Sequence, residues 1–184
     1  TVYVDGVRQP ERVKFEAGQT SVRIASGLDK NETSTIKLVR ETEEKYGAFT
    51  ALSLDMGYHG ELGDKPLDKG AYIEFLGDSI TSGLGSLCGY LSDDGLEIKN
   101  EQTSTSTGKH KCGDSDDETS LCQDATNSYA YLAAESLGVD CSFVSYSGIG
   151  VAKGYPDFTM SDYFTYASKC RNVKYNFSTA RKPD

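Results

Sequence analysis

The second half of the chain runs strand, helix, strand, and that order leaves few folds open. Ala71-Tyr72-Ile73-Glu74-Phe75-Leu76 is a short apolar strand, Asp124 to Leu137 reads as a helix, and Cys141 to Tyr146 is a second apolar strand. Parallel strands cannot be joined by a tight hairpin and need a crossover of a dozen or more residues, so this is the βαβ pattern of a parallel sheet. Within the helix, Ala125, Tyr129, Leu132, Ala133 and Leu137 recur near the 3.6-residue period and mark the face expected to be buried. Gly138 is placed to end it.

The first part of the chain has a different rhythm. Val2-Tyr3-Val4 runs into Asp5-Gly6, a strong hairpin turn. Val13 and Phe15, Val22 and Ile24, and Ile36 and Leu38 alternate with polar neighbours, the period-two signature of half-buried strands. The run 48–54 is a further strand candidate. Short antiparallel strands at this spacing predict a small β-sandwich or jelly-roll module over 1–56. Gly57, Gly60, Gly63, Gly70 and Pro66 make 57–70 read as a linker. The expected fold class is therefore α/β: a β-sandwich module, then an α/β domain with a parallel sheet over 71–184.

Composition removes several functions. The 184 residues carry a formal charge of −9 without a Lys/Arg cluster, which argues against nucleic acid as partner. No apolar run approaches the ~20 residues of a membrane span. The segment 88–124 is a predicted solvated insertion: it holds a Thr-Ser repeat and a net charge of −6, two thirds of the chain's total. Asp114-Ser115-Asp116-Asp117 within it lacks the glycine and terminal Glu spacing of an EF-hand loop. Five cysteines (Cys88, Cys112, Cys122, Cys141, Cys170) include no CxxC pair, and His59 and His110 are the only histidines, so no metal or cofactor is expected. The cysteine count fits a secreted chain with one or two disulfides, Cys112 with Cys122 or Cys88 with one of them, or else buried thiols. Two glycosylation sequons, Asn31-Glu32-Thr33 and Asn176-Phe177-Ser178, fit secretion.

The chemistry concentrates in Ile73-Glu74-Phe75-Leu76-Gly77-Asp78-Ser79-Ile80-Thr81-Ser82-Gly83. An apolar strand ends in Gly-Asp-Ser, which presents a serine at the carboxyl end of a parallel strand, where open α/β sheets place their sites. Ser79 N–H sits where it can donate to an oxyanion. Asp78, adjacent to Ser79, is expected to point elsewhere and to brace the turn by accepting backbone N–H bonds. The motif differs from the Gly-x-Ser-x-Gly elbow, because Thr81 stands where its second glycine would be.

Gly-Asp-Ser-Ile-Thr-x-Gly after an apolar strand resembles block one of the SGNH (GDSL-type) hydrolases. Leu38-Val39-Arg40-Glu41-Thr42-Glu43 resembles a hairpin in the β-module of carbohydrate esterase family two, Asp124 to Tyr131 resembles its helix after block one, and Val144-Ser145-Tyr146-Ser147-Gly148-Ile149-Gly150 resembles its block two. The resemblance implies an N-terminal jelly roll followed by an SGNH three-layer α/β/α domain, here with an incomplete sheet. It implies Ser79 as nucleophile and oxyanion N–H, Gly150 as a second oxyanion N–H with Gly148 as fallback, and Tyr146 as an aromatic wall for a sugar or else ordinary core packing. The implied partner is an acetylated polysaccharide or oligosaccharide, and the implied activity is removal of its O-acetyl groups.

Two elements of the family pattern find no match. Block three, which would supply an oxyanion Asn, and Asp-x-x-His, which would supply the general base, are both missing, and His59 and His110 stand outside any motif position. The base and the Asn are therefore expected outside this chain, in the remainder of a polypeptide of about 330 residues that would be its natural partner. The leading expectation is a secreted serine carbohydrate O-acetylesterase, not competent as these residues alone. The alternatives are a catalytically inactive SGNH-like extracellular carbohydrate-binding or structural protein, and a cytosolic acyl or phospholipid esterase with its thiols reduced.

Overall fold

Asp5 and Gly6 sit at φ 50° and 80°, the pair of positive values that lets a two-residue loop follow the twist of an antiparallel hairpin. Around them run β1 (Val2–Val4) and β2 (Val7–Arg8), with Tyr3 opposite Arg8 and Val4 opposite Val7. β3 (Ile36–Leu38) pairs antiparallel along the other side of β1, giving the order β2-β1-β3. Asp5 prolongs this ladder: its N–H donates to the Thr35 carbonyl at 2.9 Å and its Oδ1 accepts the Thr35 N–H at 2.7 Å. Lys37 lies opposite Tyr3 and holds Nζ 5.1 Å from the ring centroid, a cross-strand cation–π pair.

The computed structural model describes residues 1–47, 50–58, 60–87, 90–91, 97–98, 120 and 122–183. They group into two units, Thr1–Arg40 with Ala48–Asp68 and Glu41–Gly47 with Lys69–Asp184. In the first unit the strands expected at Val13–Phe15, Val22–Ile24 and within 48–54 do not form among the described residues. Alternation makes a strand only where a neighbouring ladder and a face to bury exist. Here Leu52 is 90% exposed and Leu54 56%, so ordering that backbone would be repaid by no burial. The described part of this unit contains one three-stranded sheet.

The second unit is built on a parallel pair. β4 (Tyr72–Gly77) and, after the intervening short strands β5 (Tyr90–Leu91) and β6 (Glu97–Ile98), β7 (Asp140–Ser145) run side by side from Tyr72 opposite Asp140 to Gly77 opposite Ser145. Phe75 stacks on its register partner Phe143 at 5.8 Å and takes Tyr129 edge-on at 6.3 Å. The crossover helix α1 (Tyr129–Leu137) starts five residues later than the Asp124 expected from sequence. Asp124 instead caps a short 3-10 turn, its carboxylate accepting the Thr126 N–H at 2.8 Å, and Ser128 is extended before it caps α1. Gly138 ends α1 in the left-handed conformation. The buried face of α1 is Ala130, Tyr131 and Ala134, whereas Tyr129, Leu132 and Leu137 are each more than half exposed. Apolar residues occupy both sides of this helix, so periodicity alone picks the wrong stripe.

β5 and β6 pair antiparallel within the acidic insertion, most of which, with Asp114 to Asp117, lies outside the described residues. The insertion's last residues are not the solvated loop expected from sequence. Cys122, Gln123 and Asp124 are fully buried, and Cys122 is disulfide-bonded. The Leu87 N–H donates to the Cys122 carbonyl at 3.2 Å, joining the two ends of the insertion. Beyond β7 come the short helix α2 (Met160–Tyr163) and an antiparallel hairpin of β8 (Tyr166–Ser168) and β9 (Val173–Lys174). Among the described residues no helix is long and apolar enough to cross a membrane.

The Ser128 side chain accepts the Tyr131 N–H at 3.3 Å while 3% exposed. Ser128→Ala is expected to lower stability by about 1 kcal/mol, read as a lower urea midpoint at unchanged slope.

Candidate active site

The backbone leaves β4 through a residue that has to be glycine. A Cβ on Gly77 would lie 2.0 Å from Thr81 Oγ1 and 2.7 Å from Thr81 Cβ. Thr81 itself is buried and shares a 3.0 Å hydrogen bond with the Tyr129 hydroxyl on α1. Asp78 accepts the Ile80 N–H on Oδ1 at 3.0 Å, an Asx turn, and its carbonyl accepts the Ser82 N–H at 3.0 Å. The Ser79 carbonyl accepts the Leu84 N–H at 2.9 Å and the Ile80 carbonyl the Gly83 N–H at 3.1 Å. Ser79 is left half-buried, and neither its hydroxyl nor its N–H has a hydrogen-bond partner among the described residues.

A second turn leaves the sheet beside it. The Tyr146 N–H donates to the Gly77 carbonyl at 3.2 Å, adding one rung to the β4–β7 ladder, and Ser82 Oγ donates to Ser145 Oγ at 2.8 Å. Gly148 has φ 78°, and a Cβ there would meet Tyr155 Cβ at 2.9 Å. A Cβ on Gly150 would lie 1.9 Å from the Lys153 carbonyl oxygen. The carbonyls of these glycines accept Tyr155 N–H at 2.8 Å and Met160 N–H at 3.0 Å, while their own N–H groups have no partner among the described residues. The Ser79 turn and the Gly148–Gly150 turn thus emerge at the same end of neighbouring parallel strands, each with open N–H groups.

Beneath both turns lies a buried polar network that sequence reasoning did not assign. Glu43 is 6% exposed. Its Oε1 accepts the Ser147 N–H; its Oε2 accepts the Ser147 hydroxyl at 2.5 Å and Gln123 Nε2 at 3.2 Å. Gln123 Nε2 also donates to the Ser82 carbonyl at 3.1 Å, and Gln123 Oε1 accepts the Glu43 N–H at 3.0 Å. These bonds explain why 41–47 group with the second unit although the sequence placed them in the 1–56 module. Glu43 lay inside a motif noticed in the sequence; Gln123 carried no signal. Gly83, at φ 74°, admits the same segment closely, since a Cβ there would lie 2.2 Å from the Asp124 carbonyl oxygen.

Tyr146 packs edge-on against Phe158 at 5.1 Å and Tyr163 at 5.4 Å, and Lys45 Nζ lies 5.7 Å from its ring centroid. Burial pushes the Tyr146 phenol above its usual range and Tyr163 further still. Burial also works against the Lys45 ammonium, but Tyr46, Glu43 and Tyr146 around it outweigh that and hold its pKa above the ordinary value. His59 and His110 lie outside the described residues. Among the described residues no cluster of three or more His, Cys, Asp or Glu is placed to hold a metal ion.

No family model matches the sequence, and no curated protein matches it. Solved structures do match. A family two carbohydrate esterase from Clostridium thermocellum, in complex with cellohexaose, is 25% identical, covers 96% of this chain and 47% of its own, and superposes with a TM-score of 0.73. An active-site mutant of a family two carbohydrate esterase from the same organism is 24% identical, covers 97% and 48%, and has a TM-score of 0.73. The structural neighbours of this chain are thus family two carbohydrate esterases, and the chain spans about half the length of those it matches.

Gly77→Ala is expected to lower stability by about 2 kcal/mol, the scale of core overpacking, and Gly77→Ala with Thr81→Gly to recover part of it, in thermal unfolding midpoints. Burial holds the Tyr163 proton more tightly in the folded chain than at its ordinary value of 10.0. Its contribution is therefore intact below pH 10 and lost as pH rises above it. Tyr163→Phe is expected to flatten the decline of stability above pH 10, measured by urea titration at stepped pH.

Proposed function

We propose that this chain carries the nucleophile and the first oxyanion donors of a secreted serine carbohydrate O-acetylesterase. One observation supports it above the others: Ser79, with open hydroxyl and N–H, stands beside the Gly148–Gly150 turn at the carboxyl end of adjacent parallel strands. The likeness to a carbohydrate esterase solved with cellohexaose supports a carbohydrate ester as substrate class.

In this reading Ser79 Oγ attacks the acetyl carbonyl and gives its proton to a histidine supplied from outside these 184 residues. The carbonyl oxygen becomes an oxyanion that accepts from the Ser79 N–H, from the N–H of Gly150 (Gly148 as second choice), and from an Asn also supplied from outside. The intermediate collapses, the sugar hydroxyl leaves with the histidine's proton, and water clears the acetyl-enzyme by the same route. Asp78 supports the turn through Ile80 and takes no part in proton transfer. Tyr146, half-buried, serves as an aromatic wall for an acetylated polysaccharide or oligosaccharide. Secretion is supported by the exposed sequon residues Asn31 and Asn176.

The test uses the full-length protein on an acetylated cello- or xylo-oligosaccharide. Acetate release and fluorophosphonate labelling are expected, and Ser79→Ala should lower release by about 10³-fold or more and abolish labelling. An unlabelled Ser79, with binding of the same oligosaccharide retained, would sink the esterase reading and leave a carbohydrate-binding role.

A further inference from the structure

We infer that Glu43 is a positioning residue that fixes the Ser79 hydroxyl relative to the glycine N–H groups of the neighbouring turn; this rests on the esterase reading above. The two turns belong to different strands, and the parallel ladder sets only where they leave the sheet. What lies beyond needs its own tie. Glu43 supplies it from one buried carboxylate. Both of its oxygens hold Ser147, through the backbone N–H and the hydroxyl, at the start of the turn that carries Gly148 and Gly150. Through Gln123 it also holds the Ser82 carbonyl, at the end of the turn that carries Ser79. Gln123 is fully buried and Glu43 nearly so, which shields the Gln123 link from water; Ser147 is half-buried.

The chemistry requires an acceptor without donors. The Ser147 N–H, the Ser147 O–H and the Gln123 amide all donate to Glu43. The two oxygens of a carboxylate accept all of them, whereas the isosteric amide of Gln would turn an NH2 against one. Lys45 Nζ, 4.0 Å from Oε2, balances the charge from the more open side. A buried carboxylate is a poor source of stability, because desolvation consumes most of what its bonds return. Its partners here stand on the two turns that bear the reactive groups, which a purely stabilising role does not require.

The test compares Glu43→Gln with the unsubstituted full-length protein, using p-nitrophenyl acetate turnover and the rate of fluorophosphonate labelling, both well below the unfolding temperature. A misplacement of about 1 Å costs on the order of 10²-fold, so kcat and labelling rate are expected to fall ~100-fold together while KM stays within about twofold. Gln123→Met cuts the same link, so the double variant is expected to be no slower than the slower single one, as coupled residues show. Ser79→Ala fixes the meaning of the outcomes. If turnover does not depend on Ser79, the esterase reading and this inference fall together. If it does, and Glu43→Gln lowers only the unfolding temperature or raises only KM, this inference alone is overturned. Should Glu43→Gln fail to fold, Gln123→Met and Ser147→Ala carry the test, and an unchanged kcat in both overturns it.

Discussion

The register of the β4–β7 pair is the constraint from which the candidate site follows. With Gly77 opposite Ser145, both strands end on the same rung, and the Tyr146 N–H adds one more bond to the Gly77 carbonyl before the backbones part. A slip of one residue would send every side chain to the opposite face of the sheet. The stacking of Phe75 on Phe143, with Tyr129 against its edge, ties the register to packing on one face. Two turns that are far apart in sequence become neighbours because of that alignment.

The packing beneath those turns is more polar than a core of this size usually is. Thr81, Ser82, Gln123, Asp124, Thr126 and Ser128 are all buried, beside Ala130, Tyr131 and Ala134. The bonding within this seam runs both between side chains and from side chain to backbone. Asp124 alone accepts from the Thr126 N–H, the Thr126 hydroxyl and Asn127 Nδ2. Hydrogen bonds cancel the desolvation of such groups without adding much net stability. What they contribute is direction: an apolar contact tolerates sliding, and a bonded carbonyl does not. The seam therefore acts mainly on geometry, its helix cap at Ser128 apart, and the Phe75 cluster acts on stability.

Much of this architecture was legible in the sequence because its signals are local. The apolar runs locate β4 and β7 to within a residue, Asp5-Gly6 predicts its hairpin, and Gly138 marks the end of α1. The glycine-rich motifs point to two turns, and the close approaches at Gly77 and Gly150 give the reason those positions lack a side chain. What failed depends on distant partners. Alternation at Val13–Phe15 and Val22–Ile24 promised strands where no ladder forms among the described residues. Tyr129 and Leu132 looked like a buried stripe, but both are more than half exposed and Ala130, Tyr131 and Ala134 are the residues buried. Gln123, at the end of an acidic stretch, read as surface and is fully buried, because its amide serves Glu43 eighty residues earlier. Composition cannot announce a bond of that span.

The short distance between the feet of the insertion has an evolutionary consequence. Leu87 and Cys122 are joined backbone to backbone, and Gly83 and Asp124 cross in close contact just inside them. Whatever the chain does between those anchor points, it departs and returns at one place. The entropy of closing such an excursion grows only slowly, by about 0.6 kcal/mol for each doubling of its length. Descendants of this sequence are free to lengthen, shorten or replace the segment, even by a whole foreign domain, while the paired turns stay in place.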